Sequence, residues 1–138
     1  MKNQEKRLLT SDLLEALASY PLYAQEHKHL PDLMAVALLR IGSIRWYILE
    51  GNAEGARFTF FTLVCGMGEG AELGYTDAGE LAEIAVDASR YGLPGVLLTV
   101  EQAKDFKPCR LADIDDEDVK RYCDRFTPDE EAEETARL

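Results

Sequence analysis

Apolar residues recur at two different spacings along this chain, and the change between them divides it. Leu13, Leu14 and Leu17 form a stripe at helical spacing and predict a first helix over residues 8–19. Thr10 or Ser11 stands where a cap belongs, and Asp12 lies in the first turn, where negative charge favours the helix dipole. Tyr20–Pro21 ends the element, and Tyr23 to Pro31 reads as a polar connector. From residue 34 the period shortens. MAVALLRI (34–41) is an apolar run, and SIRWYILEG sets Ile44, Trp46 and Ile48 against Arg45, Tyr47 and Leu49. Gly42 separates the two, so residues 34–41 and 43–50 are predicted to pair as a hairpin. GNAEGAR (51–57) is a second turn. FTFFTLVC (58–65) has the strongest strand composition, β-branched and aromatic without a breaker. The glycine-rich GMGEGAELGYT then leads through a short strand at Glu72–Tyr75.

Helical spacing returns after residue 76. Thr76 or Asp77 caps a helix predicted over 78–90, with Glu80 completing a capping box from Asp77 and Leu81, Ile84, Ala85 and Ala88 as the buried stripe. Tyr91–Gly92 is its stop. Thr99 with Gln102 repeats the box pattern and predicts a short helix over 100–106, closed before Pro108. Asp115 to Phe126 reads as a helix with Val119, Tyr122, Cys123 and Phe126 on one face. Thr127-Pro128-Asp129-Glu130 has the form of a further helix start. Strands first and helices afterwards predict an α+β fold: an antiparallel meander of three to four strands, helices packed on one face, and an acidic helical C-terminus.

At 138 residues the chain is expected to be a single domain. It lacks an apolar run of the ~20 residues a membrane span needs and an apolar leader at its start, so a cytoplasmic protein is expected. Cys65, Cys109 and Cys123 are odd in number and widely spaced, which argues against a disulfide framework or zinc ribbon. Charge changes the picture most. Residues 112–138 hold eleven acids against four bases, a net −7 of the chain's −11. That balance opposes direct nucleic-acid binding, which needs Lys and Arg on phosphates, and suits either a basic partner or solubility.

The candidate chemistry is sparse. His27 and His29 form an HxH pair, but in a connector and with no third ligand spaced to join them. Gly66, Gly68 and Gly70 mimic a phosphate loop, yet Glu69 and Glu72 would repel phosphate and no Lys-Ser/Thr follows, so the glycines are read as turn residues. Asp113, Asp115, Glu117 and Asp118 resemble the start of a calcium loop, but Asp118 stands where that loop requires glycine. Arg40, Arg45 and Arg57 fit one strand face, to hold an anion or to pair with Glu50 or the acidic tail. Trp46, Tyr47, Phe58, Phe60 and Phe61 divide between core and a ligand pocket or partner surface. No Ser-His-Asp, Cys-His or paired-carboxylate spacing is present, and neither an enzyme nor a cofactor or metal is expected.

In order, LLTSDLLEALASYPLYAQE, RWYILEG, FFTLVCG with ELGYTDAGELAE, YGLP and DFKP resemble the domain-of-unknown-function family numbered 2958, over about residues 8–110. These motifs are structural: turn glycines, core aromatics and a helix cap. The resemblance implies an accessory protein of a bacterial mobile element, and the acidic segment 112–138 goes beyond the family core. Together with the charge, this leads to an expectation of a small acidic protein that acts by contact. Such a protein blocks a host defence system (restriction or CRISPR) by occupying a basic nucleic-acid-binding surface. Its partner-binding candidates are Asp113, Asp115, Asp116, Glu117, Asp118, Asp129, Glu130, Glu131, Glu133 and Glu134. Arg40, Arg45, Trp46 and Arg57 are a secondary surface. Two alternatives stand beside it. One is a small-ligand binder or enzyme using the Arg and aromatic side chains of residues 40–61, and the other is a structural homodimer joined at a strand edge.

Overall fold

The computed structural model describes residues 3–125; the helix start predicted at Thr127 and the acids beyond it lie outside the described residues. Two short helices open the fold, α1 (Asn3–Leu8) and α2 (Ser11–Leu17). Thr10 is the cap of α2, its hydroxyl accepting from the Leu13 N–H at 3.2 Å. Leu13 and Leu17 are buried, while Leu14, the third residue of the apolar stripe, faces solvent.

Six strands follow in close succession or nearby: β1 (Met34–Ala35), β2 (Ala37–Ile41), β3 (Ile44–Glu54), β4 (Arg57–Cys65), β5 (Ala71–Asp77) and, later in the chain, β8 (Glu101–Gln102). Between β5 and β8 lie α3 (Ala78–Glu83), β6 (Ala85–Asp87) and β7 (Leu97–Thr99). β9 (Cys109–Arg110) and α4 (Glu117–Asp124) complete the described chain. The main sheet has the order β5-β4-β3-β2-β8, antiparallel throughout. The predicted β2–β3 hairpin forms, turning at Gly42 with φ 55° and setting Leu39 against Trp46. Val36 interrupts its first strand, and β1 leaves the sheet to pair with β9.

Alternation along β3 has an unexpected consequence: both of its faces are apolar and both are covered. Trp46 and Ile48 join Leu39, Phe60 and the buried residues of α1, α2 and α3 in one core. Tyr47 and Leu49 join Leu38, Leu63 and Cys65 in a second, covered by Ala103, Leu111, Ile114 and Val119. Helices α1–α3 thus pack on one face as expected, and the acidic α4 closes the other. Residue 112 is therefore no structural boundary, because the segment beyond it supplies core side chains.

A bulge at Leu49 shifts the β3–β4 register between Ile48 and Glu50. A one-residue shift exchanges faces, so Glu50 points to the same side as Leu49 instead of joining Ile48. There its buried carboxylate accepts from the Tyr23 N–H at 2.9 Å and the Gln25 N–H at 2.7 Å. Gln25, also buried, spans from the Leu49 carbonyl to both the N–H and the carbonyl of Met34. Glu50 thus pairs with the backbone of the connector and not with an arginine. These bonds hold the connector against the sheet and support Tyr23 at φ 73°, the one non-glycine residue at positive φ among those described.

Two predicted helices are different structures. The helix over 78–90 stops at Glu83: Asp77 caps it, accepting from Gly79 and Glu80 N–H groups, but Ile84 is extended with ψ 123°. Residues 85–87 form β6 against β7, and a 3-10 turn follows over Ala88–Tyr91. The helix over 100–106 is replaced by β8, which lies on β2 with Arg40 opposite Glu101. Thr99 does not cap; its hydroxyl donates to the Glu101 carboxylate at 2.6 Å. In both places an available strand partner outweighs local helical preference.

Gly66 adopts φ 91°, and a Cβ there would run into the Ser43 carbonyl oxygen and lie 3.1 Å from Arg45 Nη1. Gly68, two residues on, has open space around it. Gly66→Ala is expected to lower unfolding stability by about 2 kcal/mol, and Gly68→Ala by less than about 0.5 kcal/mol. Urea denaturation of the two variants checks the contrast; equal losses would disprove it.

Candidate functional site

The side chains with the richest chemistry meet where the start of α4 crosses the second face of the sheet. Asp116 is the N-cap of α4, its Oδ1 accepting from the Asp118 N–H at 2.9 Å. The same carboxylate receives Arg45 as a two-pronged partner, Nε and Nη2 each at 2.9 Å. The Tyr47 hydroxyl donates to it at 2.7 Å. Arg45 Nη2 also reaches Asp118 at 2.7 Å, and Nη1 donates to the Ser43 carbonyl. Arg45 and Tyr47 project together because they are two residues apart on β3. Side-chain exposure is 10% for Asp116 and 21% for Arg45.

Ionisation follows from this geometry. Burial alone would raise the pKa of Asp116, but the hydrogen bonds from Tyr47, Arg45 and the Asp118 amide outweigh it and hold the carboxyl below its usual range. Burial would lower the Arg45 pKa, and the bonds to Asp118 and Asp116 more than reverse this. Tyr47 is pushed up by burial and by donating to Asp116. Burial, with Asp116 nearby, pushes the Cys65 thiol up to about 12. Burial also raises Cys109 and Cys123. All three cysteines are therefore neutral thiols at neutral pH, and the thiolate is the nucleophilic form.

The remaining partner candidates divide by what they touch. Asp113 accepts from Arg110 at 3.1 Å. Asp115 and Glu117 share Lys120, at 2.8 and 3.5 Å, yet keep side-chain exposures of 96% and 76%. Asp118 divides between Arg45 and Arg121. Asp129, Glu130, Glu131, Glu133 and Glu134 lie outside the described residues. Of the secondary surface, Arg45 is committed to the acids of α4, and Arg57 stands beside Asp77 at 3.8 Å on the far end of β4. Trp46 is not a surface residue at all: it is buried in the first core. Arg40 is exposed, directly across from Arg45. The three arginines therefore do not form one anion-holding cluster. No group of three His, Cys, Asp or Glu among the described residues is placed to hold a metal. No described helix is long and apolar enough to cross a membrane.

Two surface features stand beside these, the first of them including Arg40 and Tyr47 of the Arg and aromatic face expected over residues 40–61. One is a cleft of about 410 Å³ between β2, the 103–109 loop and the 113–115 turn, lined by Arg40, Tyr47, Phe106 and Lys107 among others. Arg40 and Tyr47 were visible as strand residues, but Phe106 and Lys107 reach them only because β8 docks on β2. The other is an apolar tip between β6 and β7. Tyr91, Leu93, Val96 and Leu97 are exposed there within seven residues. The Gly92-Leu93-Pro94-Gly95 run, legible as a turn, was the available signal for it.

Asp116→Asn should cost about 2 kcal/mol at neutral pH, since it removes the two-pronged acid from half-buried Arg45 and leaves it Asp118 alone as counter-charge; Tyr47→Phe should cost about 1 kcal/mol. The Asp116 contribution is present above its unfolded pKa of about 3.9 and is lost as pH falls through its lower folded value. Urea midpoints of wild type and Asp116→Asn should therefore converge in strong acid; a gap that is independent of pH would contradict this origin. Iodoacetamide at pH 7.5 should leave Cys65 unmodified in the folded protein and label it in urea, read by peptide mass spectrometry. Comparison with family models, with curated proteins and with solved structures finds no match to this chain.

Proposed function

We propose that this chain acts by contact, as a small acidic protein that binds a protein partner with a basic surface. The observation that carries the reading is the exposed tip between β6 and β7, where Tyr91 and Leu97 are 68% and 66% exposed. An exposed apolar patch of this kind marks a partner surface, and aromatic and aliphatic anchors supply most of the energy of an interface. The chain's net charge of −11 supplies attraction toward a basic partner. Asp115 and Glu117 remain open to solvent despite sharing Lys120. Neutral thiols at all three cysteines speak against nucleophilic chemistry at those positions.

In the setting implied by the resemblance to a mobile-element family, the partner is a nucleic-acid-binding protein of a host defence system in the bacterial cytoplasm. Carboxylates then occupy sites that would otherwise hold phosphate. Contact between two copies through the outer edge of β5, which has no strand neighbour among the described residues, is the competing reading, and it would use a surface other than the tip.

The test is affinity capture from a bacterial lysate with the full chain as bait, run with wild type, Tyr91→Ser/Leu97→Ser and Asp115→Asn/Glu117→Gln. The expected result is one partner released by high salt and competed by DNA, with capture reduced at least tenfold by the tip variant and more weakly by the acid variant. Capture of no nucleic-acid-binding protein, together with unchanged restriction and CRISPR interference in cells expressing the chain, would sink the reading. Light scattering of the chain alone should give a monomer mass at two concentrations; a dimer mass lost in the tip variant would reassign the tip to self-contact.

A further inference from the structure

The cleft between β2 and the 103–109 loop has a composition that the contact reading does not use. Its volume, about 410 Å³, lies within the range of small-molecule sites. One wall is aromatic: the Tyr47 and Phe106 rings lie 5.9 Å apart, tilted by 56°. The Tyr47 hydroxyl is already committed to Asp116, so what Tyr47 has left to offer the cleft is its ring. The opposite character comes from two cations, Arg40 and Lys107, both exposed and neither in an ion pair with another described residue.

Among the described residues Arg40 has no ion-pair partner, because its neighbours are engaged elsewhere. Arg45 and Glu101 stand directly across from it on β3 and β8. Arg45 is held by Asp116 and Asp118, and Glu101 is held by Arg7 at 3.2 Å and by Thr99. The acid that strand register offers Arg40 is thus taken up elsewhere. Two of the acids at the rim are also engaged: Asp113 by Arg110, and Asp115 by Lys120. Asp105 is the acid left without an ion pair among the described residues that line the cleft. A guanidinium presents a planar fork that matches a carboxylate, and an aromatic wall favours a flat apolar body.

We infer that this cleft binds a small planar organic carboxylate, with Arg40 and Lys107 holding the carboxylate and Phe106, backed by the buried Tyr47 ring, against the body. The inference does not rest on the contact reading, since the tip between β6 and β7 takes no part in it.

Titration of the ¹⁵N-labelled full chain with benzoate tests it, alongside benzamide, which keeps the shape without the charge, and acetate, which keeps the charge without the ring. Benzoate should give saturable shifts centred on residues 103–109 and on Arg40 and Tyr47. Benzamide and acetate should bind at least tenfold more weakly. Arg40→Gln should weaken benzoate about tenfold and Lys107→Gln by less, with the rest of the spectrum unchanged because both side chains are exposed. The Tyr91→Ser/Leu97→Ser variant should bind benzoate as wild type does, which separates this site from the contact surface. Equal shifts with benzamide, shifts scattered over many basic side chains, or undiminished benzoate binding in the Arg40→Gln/Lys107→Gln double variant would overturn the assignment.

Discussion

A sheet that is apolar on both faces has to be covered twice, and the second cover here is fastened by one carboxylate. Asp116 begins α4, satisfies an amide at the start of that helix, and binds the guanidinium and phenol that β3 presents. Arg45 and Tyr47 are polar or half-polar groups on a face that is otherwise apolar. Without the acid the Tyr47 hydroxyl would lose its acceptor and Arg45 would keep only Asp118 and the Ser43 carbonyl, and a partly buried donor left unmet costs more than its bond gains. The acid in turn keeps its charge at a mostly buried position because those donors are there. The contact therefore fixes where α4 lies, and α4 with residues 111–114 closes the second core over Leu38, Leu49 and Leu63.

This changes the meaning of the acidic segment. Read as charge alone, its first part is a run of equivalent carboxylates. In the fold these divide into structural and available groups. Asp116 and Asp118 bind Arg45, Asp113 binds Arg110, and Asp115 and Glu117 stay largely in solvent with Lys120 between them. Pairing of this kind removes much of the local field, since each close cation offsets an acid. Two other surfaces come forward in its place: the apolar tip between β6 and β7, and the cleft where Arg40 and Lys107 stand beside an aromatic pair. A protein can use both, because the two share no residue among those that line them.

The central hairpin, the β4 strand, the caps at Thr10 and Asp77 and the glycine turn at Gly66 were all legible in the chain. Each depends on a few consecutive residues: alternation sets the faces of a strand, a short polar side chain caps a helix, and glycine permits positive φ. The helix expected over 100–106 failed for the complementary reason. Its pattern was compatible with a helix, but β2 had an open edge, and residues 101–102 paired with it. The bulge at Leu49 was likewise invisible in β3 alone, although it decides that Glu50 meets the connector. Alternation alone places Trp46 and Tyr47 on opposite faces of β3 but does not say that both faces are covered.

Local pattern along the chain was thus sufficient for the α+β class, the strand-rich middle, most caps and turns, and the acidity of the C-terminal part. Tertiary structure alone decided that both sheet faces are buried, that Arg45 answers to an acid 71 residues away, and that Arg40 has no ion-pair partner among the described residues. The physical reason is one of range. Backbone preference acts between neighbours in sequence, whereas burial and charge pairing act between neighbours in space. Which acids and cations are free for another molecule is settled only after the fold has brought their partners to them.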